Sequence, residues 1–586
     1  MLKSSQAILR DAILYVAKEL TPEEGQDKYW VRPGLPVFPD EATDSKVVRV
    51  TRQEKLRQEY ASLEKVNGTV EIPNPLFAYK FQSNTDAQFK VSVLGHLKEI
   101  QNLSTATRYD SRTQFSAEIS ERVQNKLLTE RLTLFTREVN QELAVEGNLR
   151  ERVVYLIQAY EKFDHVTHNQ GDPARVPATG RDGRPSKVQG LGFGSIEDIH
   201  NTLHVLVGGS GDYGGHMGSV PISAFDPIFW LHHTNIDRLV SIWQGLHDDE
   251  TKPDSWVSTK PARGGTWVTP PDADEGLTTP LAPFYKVANN FWDSTAVRKT
   301  TIFGYGYPET QSWNFKEAAD CRKDIRNHLT TLYTAGSLGN MIAASQRGGT
   351  TLDHVNRALE AISQKTTSQK PESSLASILP PSDVPKVQVS DDRSLTKLAK
   401  DDTYLEWLVN IKAQKYPLNG EYLVHVFLGP VPQDDSTILY SVSPYHVGTF
   451  WPLGQPEDTQ CDKCQRDQAA RTEITGQFPL DFASAERYFA GALGSLSEDD
   501  GITYLQKNLQ WEVVDNQGQR LQSRRSDVDG LLVGVVSNRV KLPATEHDLP
   551  RYSPDITIYP EITTKQDGSS GRAKSTGITE DSKYFN

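Results

Sequence analysis

His200-Asn-Thr-Leu-His204, and after it Phe225-Asp-Pro-Ile-Phe-Trp-Leu-His232-His233-Thr-Asn-Ile-Asp237-Arg238, combine a histidine pair one helical turn apart with a histidine doublet in an aromatic run. Residues four apart on a helix project from the same face, so His200 and His204 can converge on one ligand. A third histidine, from a second helix, can close the site. Three imidazoles with no thiolate and no carboxylate suit copper or zinc, and in a dry apolar pocket they suit redox copper. A charged histidine is costly among Phe, Trp, Leu and Ile, and coordination gives a neutral imidazole a reason to be there. The plain alternative is a pair of surface or core histidines that meet nothing, since helices carry H-x-x-x-H by chance.

The flanking residues place both segments on helices. Ser195-Ile-Glu-Asp198 has the form of a capping box that starts the first helix. Val207-Gly-Gly-Ser-Gly-Asp-Tyr-Gly-Gly215 reads as a turn, and Pro227 to Gln244 as a second helix with proline near its first turn. Upstream, Asn74 to Phe81 reads as extended. Glu118 to Glu142 and Leu149 to Phe163 have helical spacing, and a further helical stretch runs from about 314 to 336. Residues 345–400, rich in Ser, Thr, Gln, Lys and Pro, are the linker candidate.

From about 402 the texture changes. Leu405-Glu-Trp-Leu-Val-Asn-Ile-Lys, Tyr422-Leu-Val-His-Val-Phe-Leu, Leu509-Gln-Trp-Glu-Val-Val-Asp and Leu531-Leu-Val-Gly-Val-Val alternate or are β-branched. The expected architecture is multidomain: a mainly α-helical domain over 1–340, the linker, and a β-rich, sandwich-like domain over 401–547. A polar, disordered tail is expected over 548–586.

The gross composition of the 586 residues narrows the partners. A net charge of -13 argues against nucleic acid or an anionic membrane. No segment is long and apolar enough to span a bilayer, and the N-terminus has no signal-peptide core. Three cysteines, Cys321, Cys461 and Cys464, do not make a disulfide scaffold, so a cytoplasmic or otherwise intracellular location is expected.

The run Phe225 to Arg238, preceded by His200-Asn-Thr-Leu-His204, resembles the second copper motif of tyrosinases, the type-3 copper phenol oxidases, and its fungal branch most. The similarity extends to Asn74–Phe81 and to the Tyr305-Gly-Tyr307 segment, covering roughly residues 70–320, with a looser match beyond. The resemblance implies o-hydroxylation of monophenols and oxidation of o-diphenols to o-quinones with dioxygen, leading to melanin-type pigment. It assigns copper ligation to His200, His204 and His233, with His232 a neighbour. Helical geometry agrees that only one member of the doublet can face the metal, since adjacent residues point about 100° apart. Asp237 and Arg238 are candidates for orienting a liganding imidazole, with an exposed helix salt bridge as the plain alternative. The resemblance further implies that Asn201 helps activate a water that deprotonates the phenol, and that Val220 gates substrate entry. Their ordinary roles would be helix surface and loop packing.

The family uses two copper ions, and ligands for one are found here. Upstream of His200 stand only His96, His165 and His168, none in an aromatic run. The expectation is a chain or gene model shortened at its N-terminus, binding about one copper and lacking normal phenol oxidase activity. Cys461-Asp-Lys-Cys464 resembles a motif of fungal protyrosinases, whose C-terminal domain covers the active site. Paired thiolates bind Cu(I) well, which gives a copper-transfer role, against a plain dithiol. By the same resemblance Phe450 or Trp451 would plug the pocket, against being core of the β domain, and a protease would remove the domain as a lid. The sequence leaves the oligomeric state open. Two other functions compete. One is a non-catalytic copper or oxygen-binding protein like the haemocyanins. The other is a zinc hydrolase, ranked last because no Glu stands beside the first ligand.

Overall fold

The computed structural model describes, short gaps aside, residues 149–167, 193–208, 216–247, 269–347 and 393–563, together with short strands between 47 and 73, at 188–189 and at 260–261. The expected helix over Glu118–Glu142, most of the extended Asn74–Phe81, most of the linker, Cys461 and the tail beyond 563 lie outside the described residues. Early strands β1 (Val47–Thr51), β2 (Lys65–Val66) and β3 (Thr69–Pro73) form an antiparallel sheet ordered β1-β3-β2.

The helical region follows, with α1 (Leu149–Ala159), α2 (Phe163–Thr167), strand β4 (Val188–Gln189), α3 (Ile196–Gly208) and α4 (Ile228–His247). In α4 the buried residues Ile228, His232, Asn235, Leu239 and Ile242 recur three and four apart, one stripe of a helix packed on one side. Two small ribbons come next, β5 (Lys260–Pro261) with β6 (Asp274–Glu275), and β7 (Tyr285–Val287) with β8 (Asn290–Phe291). Helices α5 (Ser294–Val297), α6 (Ala318–Tyr333) and α7 (Leu338–Arg347) complete this part.

The C-terminal part contains β9 (Thr403–Gln414), β10 (Leu423–Leu428), β11 (His446–Phe450), α8 (Asp462–Ala469), β12 (Glu473–Pro479), α9 (Asp481–Phe489), α10 (Glu498–Asn508), β13 (Leu509–Val514), β14 (Leu532–Lys541), β15 (Arg551–Ile558) and α11 (Pro560–Thr563). Its strands make a three-stranded sheet, β11-β10-β13, and a five-stranded one, β12-β9-β14-β15-β4. Val409, Ile411, Val424, Val426, Trp511, Val533 and Val535 of both sheets share one buried cluster, so the expected β-rich, sandwich-like domain is present. Strand β9 is buried along nearly its whole length because β12 and β14 flank it.

Two expected boundaries move. The tail does not begin at 548: Arg551–Ile558 pairs antiparallel with β14, and Ile556 and Ile558 are buried. Its polar residues and Pro554 disguise it in sequence. The strand tolerates Pro554 because the register shifts there, between Asn538 and Val540 of β14. The helical domain likewise does not close at 340, since α7 shares a buried cluster with Phe482, Tyr488 and Phe489 of α9.

By contact density the chain forms two compact units. One holds residues 1–136, 203–239 and 305–311; the other holds 137–202, 240–304 and 312–586.

Candidate metal centre

Helix α3 starts at Ser195, whose hydroxyl accepts the Asp198 amide at 3.0 Å. Only half of the expected capping box forms. The Asp198 carboxylate turns instead to Arg152 of α1, at 2.5 Å. Burial pushes the Asp198 carboxyl up and Arg152 pulls it back. Arg152 also donates to the Thr202 hydroxyl at 3.1 Å, so one guanidinium grips two successive turns of α3.

His200 and His204 extend from the same face of that helix, one turn apart. His204 is buried, and its Nδ1 lies 2.7 Å from the Met217 carbonyl oxygen. A carbonyl only accepts, so Nδ1 carries the proton and Nε2 the lone pair that a metal requires. Met217 sits in the short turn His216–Gly218, close against the end of α3. A Cβ at Gly208 would lie 2.5 Å from the Met217 carbonyl carbon, so only glycine admits that approach. His200 is half-buried, with Nδ1 2.9 Å from Asn201 Oδ1.

From α4, His232 lies fully buried with its ring centroid 5.1 Å from that of His204. The candidate ligand atoms of His200, His204 and His232 lie within 4.8 Å of one another, the one such group among the described residues. This grouping differs from the expected one within the doublet. His233 is one residue round the helix from the buried stripe, stacks on Phe229 at 4.0 Å between centroids, and is 5.7 Å from His204. The structure groups His232, not His233, with the pair.

Asn201 is buried beside His200, so its contact orients that imidazole directly. Val220 is exposed, in the turn before Pro221. Asp237 and Arg238 both contact the segment that begins at Tyr305. The Asp237 carboxylate accepts from Tyr305 at 2.9 Å and from Tyr307 at 2.5 Å. Burial and that carboxylate push both phenols above their ordinary range, keeping them protonated donors. Arg238 is completely buried and paired with Glu309 and Asn235. These contacts pin the segment after Tyr305 to α4. Glu309, Arg152 and the Met217 carbonyl were not legible as site residues; the Tyr-Gly-Tyr segment was the one signal pointing to this region.

In the C-terminal domain, Phe450 and Trp451 are each 1% exposed, and Phe450 belongs to the β-domain core. Cys464 lies half-buried on α8.

Comparison with known proteins gives a consistent result. The family model for the common central domain of tyrosinase matches residues 30–246, and that for the tyrosinase C-terminal domain matches 406–535. A tyrosinase of Neurospora crassa is 34% identical over 463 residues, 71% of this chain and 64% of the relative. A tyrosinase of Podospora anserina is 35% identical over 345 residues, 57% of this chain and 55% of the relative. The chain therefore spans a little under two thirds, and just over half, of these two relatives. Recombinant mushroom tyrosinase shares the fold at a TM-score of 0.56 and 18% identity, covering 93% of this chain and 79% of that one.

Proposed function

Because this chain is a fungal tyrosinase-like protein, we propose that it is a copper oxidase acting on phenols with dioxygen. It hydroxylates monophenols at the ortho position and oxidises o-diphenols to o-quinones, the precursors of melanin-type pigment. The observation that carries this reading is the imidazole group of His200, His204 and His232, with His204 and His232 buried and His200 half-buried. Its donor set, all nitrogen and partly shielded from water, fits copper.

Bound copper would supply redox capacity toward dioxygen and Lewis acidity toward a phenolate. The chain's own residues prepare the site. Met217 and Asn201 hold the Nδ1 atoms of His204 and His200, which aims the opposite ring nitrogens at the metal.

Among the described residues one three-histidine group is present, which corresponds to one copper, so the polypeptide is proposed to bind about one equivalent and to oxidise phenols weakly on its own. Elemental analysis after copper loading, with L-DOPA oxidation assayed alongside, tests this. Two coppers per chain with full diphenol oxidation contradict the stoichiometry. No copper and no oxidation contradict the function.

A further inference from the structure

Helix α3, which carries His200, is held at its start by the C-terminal domain. Tyr160, just beyond α1, donates its hydroxyl to Gln477 Oε1 of β12 at 2.5 Å and accepts the Gly194 amide at 3.2 Å. Gly194 directly precedes the helix cap Ser195. Gln477 is itself fixed from behind, donating to Asn410 Oδ1 of β9 at 2.6 Å. The neighbouring Phe478 lies under the Arg152 guanidinium, 4.7 Å from it. That guanidinium is the group that binds Asp198 and Thr202 of α3. Gly476 completes the seat, because a Cβ there would stand 2.5 Å from the Phe450 ring and 3.3 Å from the Asp198 carboxylate. Tyr160, Gln477, Arg152 and Asp198 are all at least nine-tenths buried.

The same region of the chain is joined to the C-terminal domain at other points. Strand β4 extends the five-stranded sheet by pairing with β15. The Glu151 carboxylate accepts the Phe482 amide at 3.2 Å, and Tyr155 meets Tyr552 edge-on at 5.4 Å. Separating the β domain would uncover this buried polar set.

We propose that Tyr160, Gln477 and Phe478 are positioning residues for His200, through which the C-terminal domain steadies the start of the helix that carries this ligand. The inference rests on the copper reading above. Gln477 touches no metal ligand. It acts through Tyr160 and the cap of α3, as outer residues do when they fix the orientation of a liganding imidazole.

The test uses the full chain and copper(II) ions. Tyr160→Phe and Gln477→Leu are compared with wild type and with Val535→Ala, a core change in the same domain. Copper affinity, the EPR spectrum of the copper(II) form and the melting temperature of the metal-free form are recorded. The inference predicts affinity about tenfold weaker and an altered EPR spectrum for Tyr160→Phe and Gln477→Leu. Val535→Ala should melt earlier while keeping the wild-type affinity and spectrum. If all three variants bind copper as wild type does, the positioning role is wrong while the copper reading stands. If wild type itself binds no copper, both fall.

Discussion

The guanidinium of Arg152 lies 2.5 Å from the carboxylate of Asp198, and both side chains are almost wholly buried. Removing one member of a buried pair leaves the other charge without compensation, at a cost of about 3–5 kcal/mol. Arg152→Met should therefore lower stability by that order in denaturant unfolding. Arg152→Met with Asp198→Leu should recover much of the loss, since no carboxylate is then stranded. Equal losses in the single and double variants would mean that the pair does not carry the interaction.

Gly208 sits where α3 passes the backbone of Met217 and Gly218. Gly208→Ala forces that turn away, at a cost of about 1–3 kcal/mol. It also withdraws the carbonyl that fixes the His204 tautomer. The expected outcome is a lower melting temperature together with weaker copper binding. A variant that loses stability but binds copper as wild type does would show that the Met217 carbonyl is not needed to orient His204.

The two histidine segments could be read from sequence because the chemistry is local: one helical turn fixes the spacing of His200 and His204, and an apolar run marks a buried helix. The doublet was harder, because two adjacent imidazoles differ only in which side of α4 packs inward, and tertiary contacts settle that. Asp237 and Arg238 looked like generic helix charges; their partners Tyr305, Tyr307 and Glu309 lie far along the chain. Strand β15 was hidden by its polar residues and Pro554. The seat of α3 on β12 had no local signature at all, since it joins Tyr160 to Gln477 across more than three hundred residues.

Burial raises the Glu421 carboxyl to about 8, against about 4.3 when unfolded. The fold thus prefers the neutral form. Its stabilising effect is complete below the unfolded value and falls away as pH rises toward 8. Asp481, raised to about 7 mainly by burial, adds a slope of the same sign. Glu421→Gln should flatten the decline of melting temperature between about pH 4 and 8, leaving the variant more stable than wild type at the upper end. Parallel curves for the two proteins would rule out Glu421 as a source of the slope.

The buried stripe of α4 places His232 beside His200 and His204, and we propose it as the third ligand, whereas the family resemblance points to His233. His232→Ala should lose copper affinity by about a hundredfold or more, the upper end of the range for disturbed sites. His233→Ala, which removes a ring stacked on Phe229, should lose far less. The reverse order would return the role to His233.

Copper content of the purified, copper-loaded chain tests the central claim most directly, measured beside the variant His200→Ala with His204→Ala. The account predicts about one copper per wild-type chain and essentially none in the double variant, with the metal-free proteins melting alike. A wild-type chain without copper, or a double variant that keeps its full complement, would contradict it.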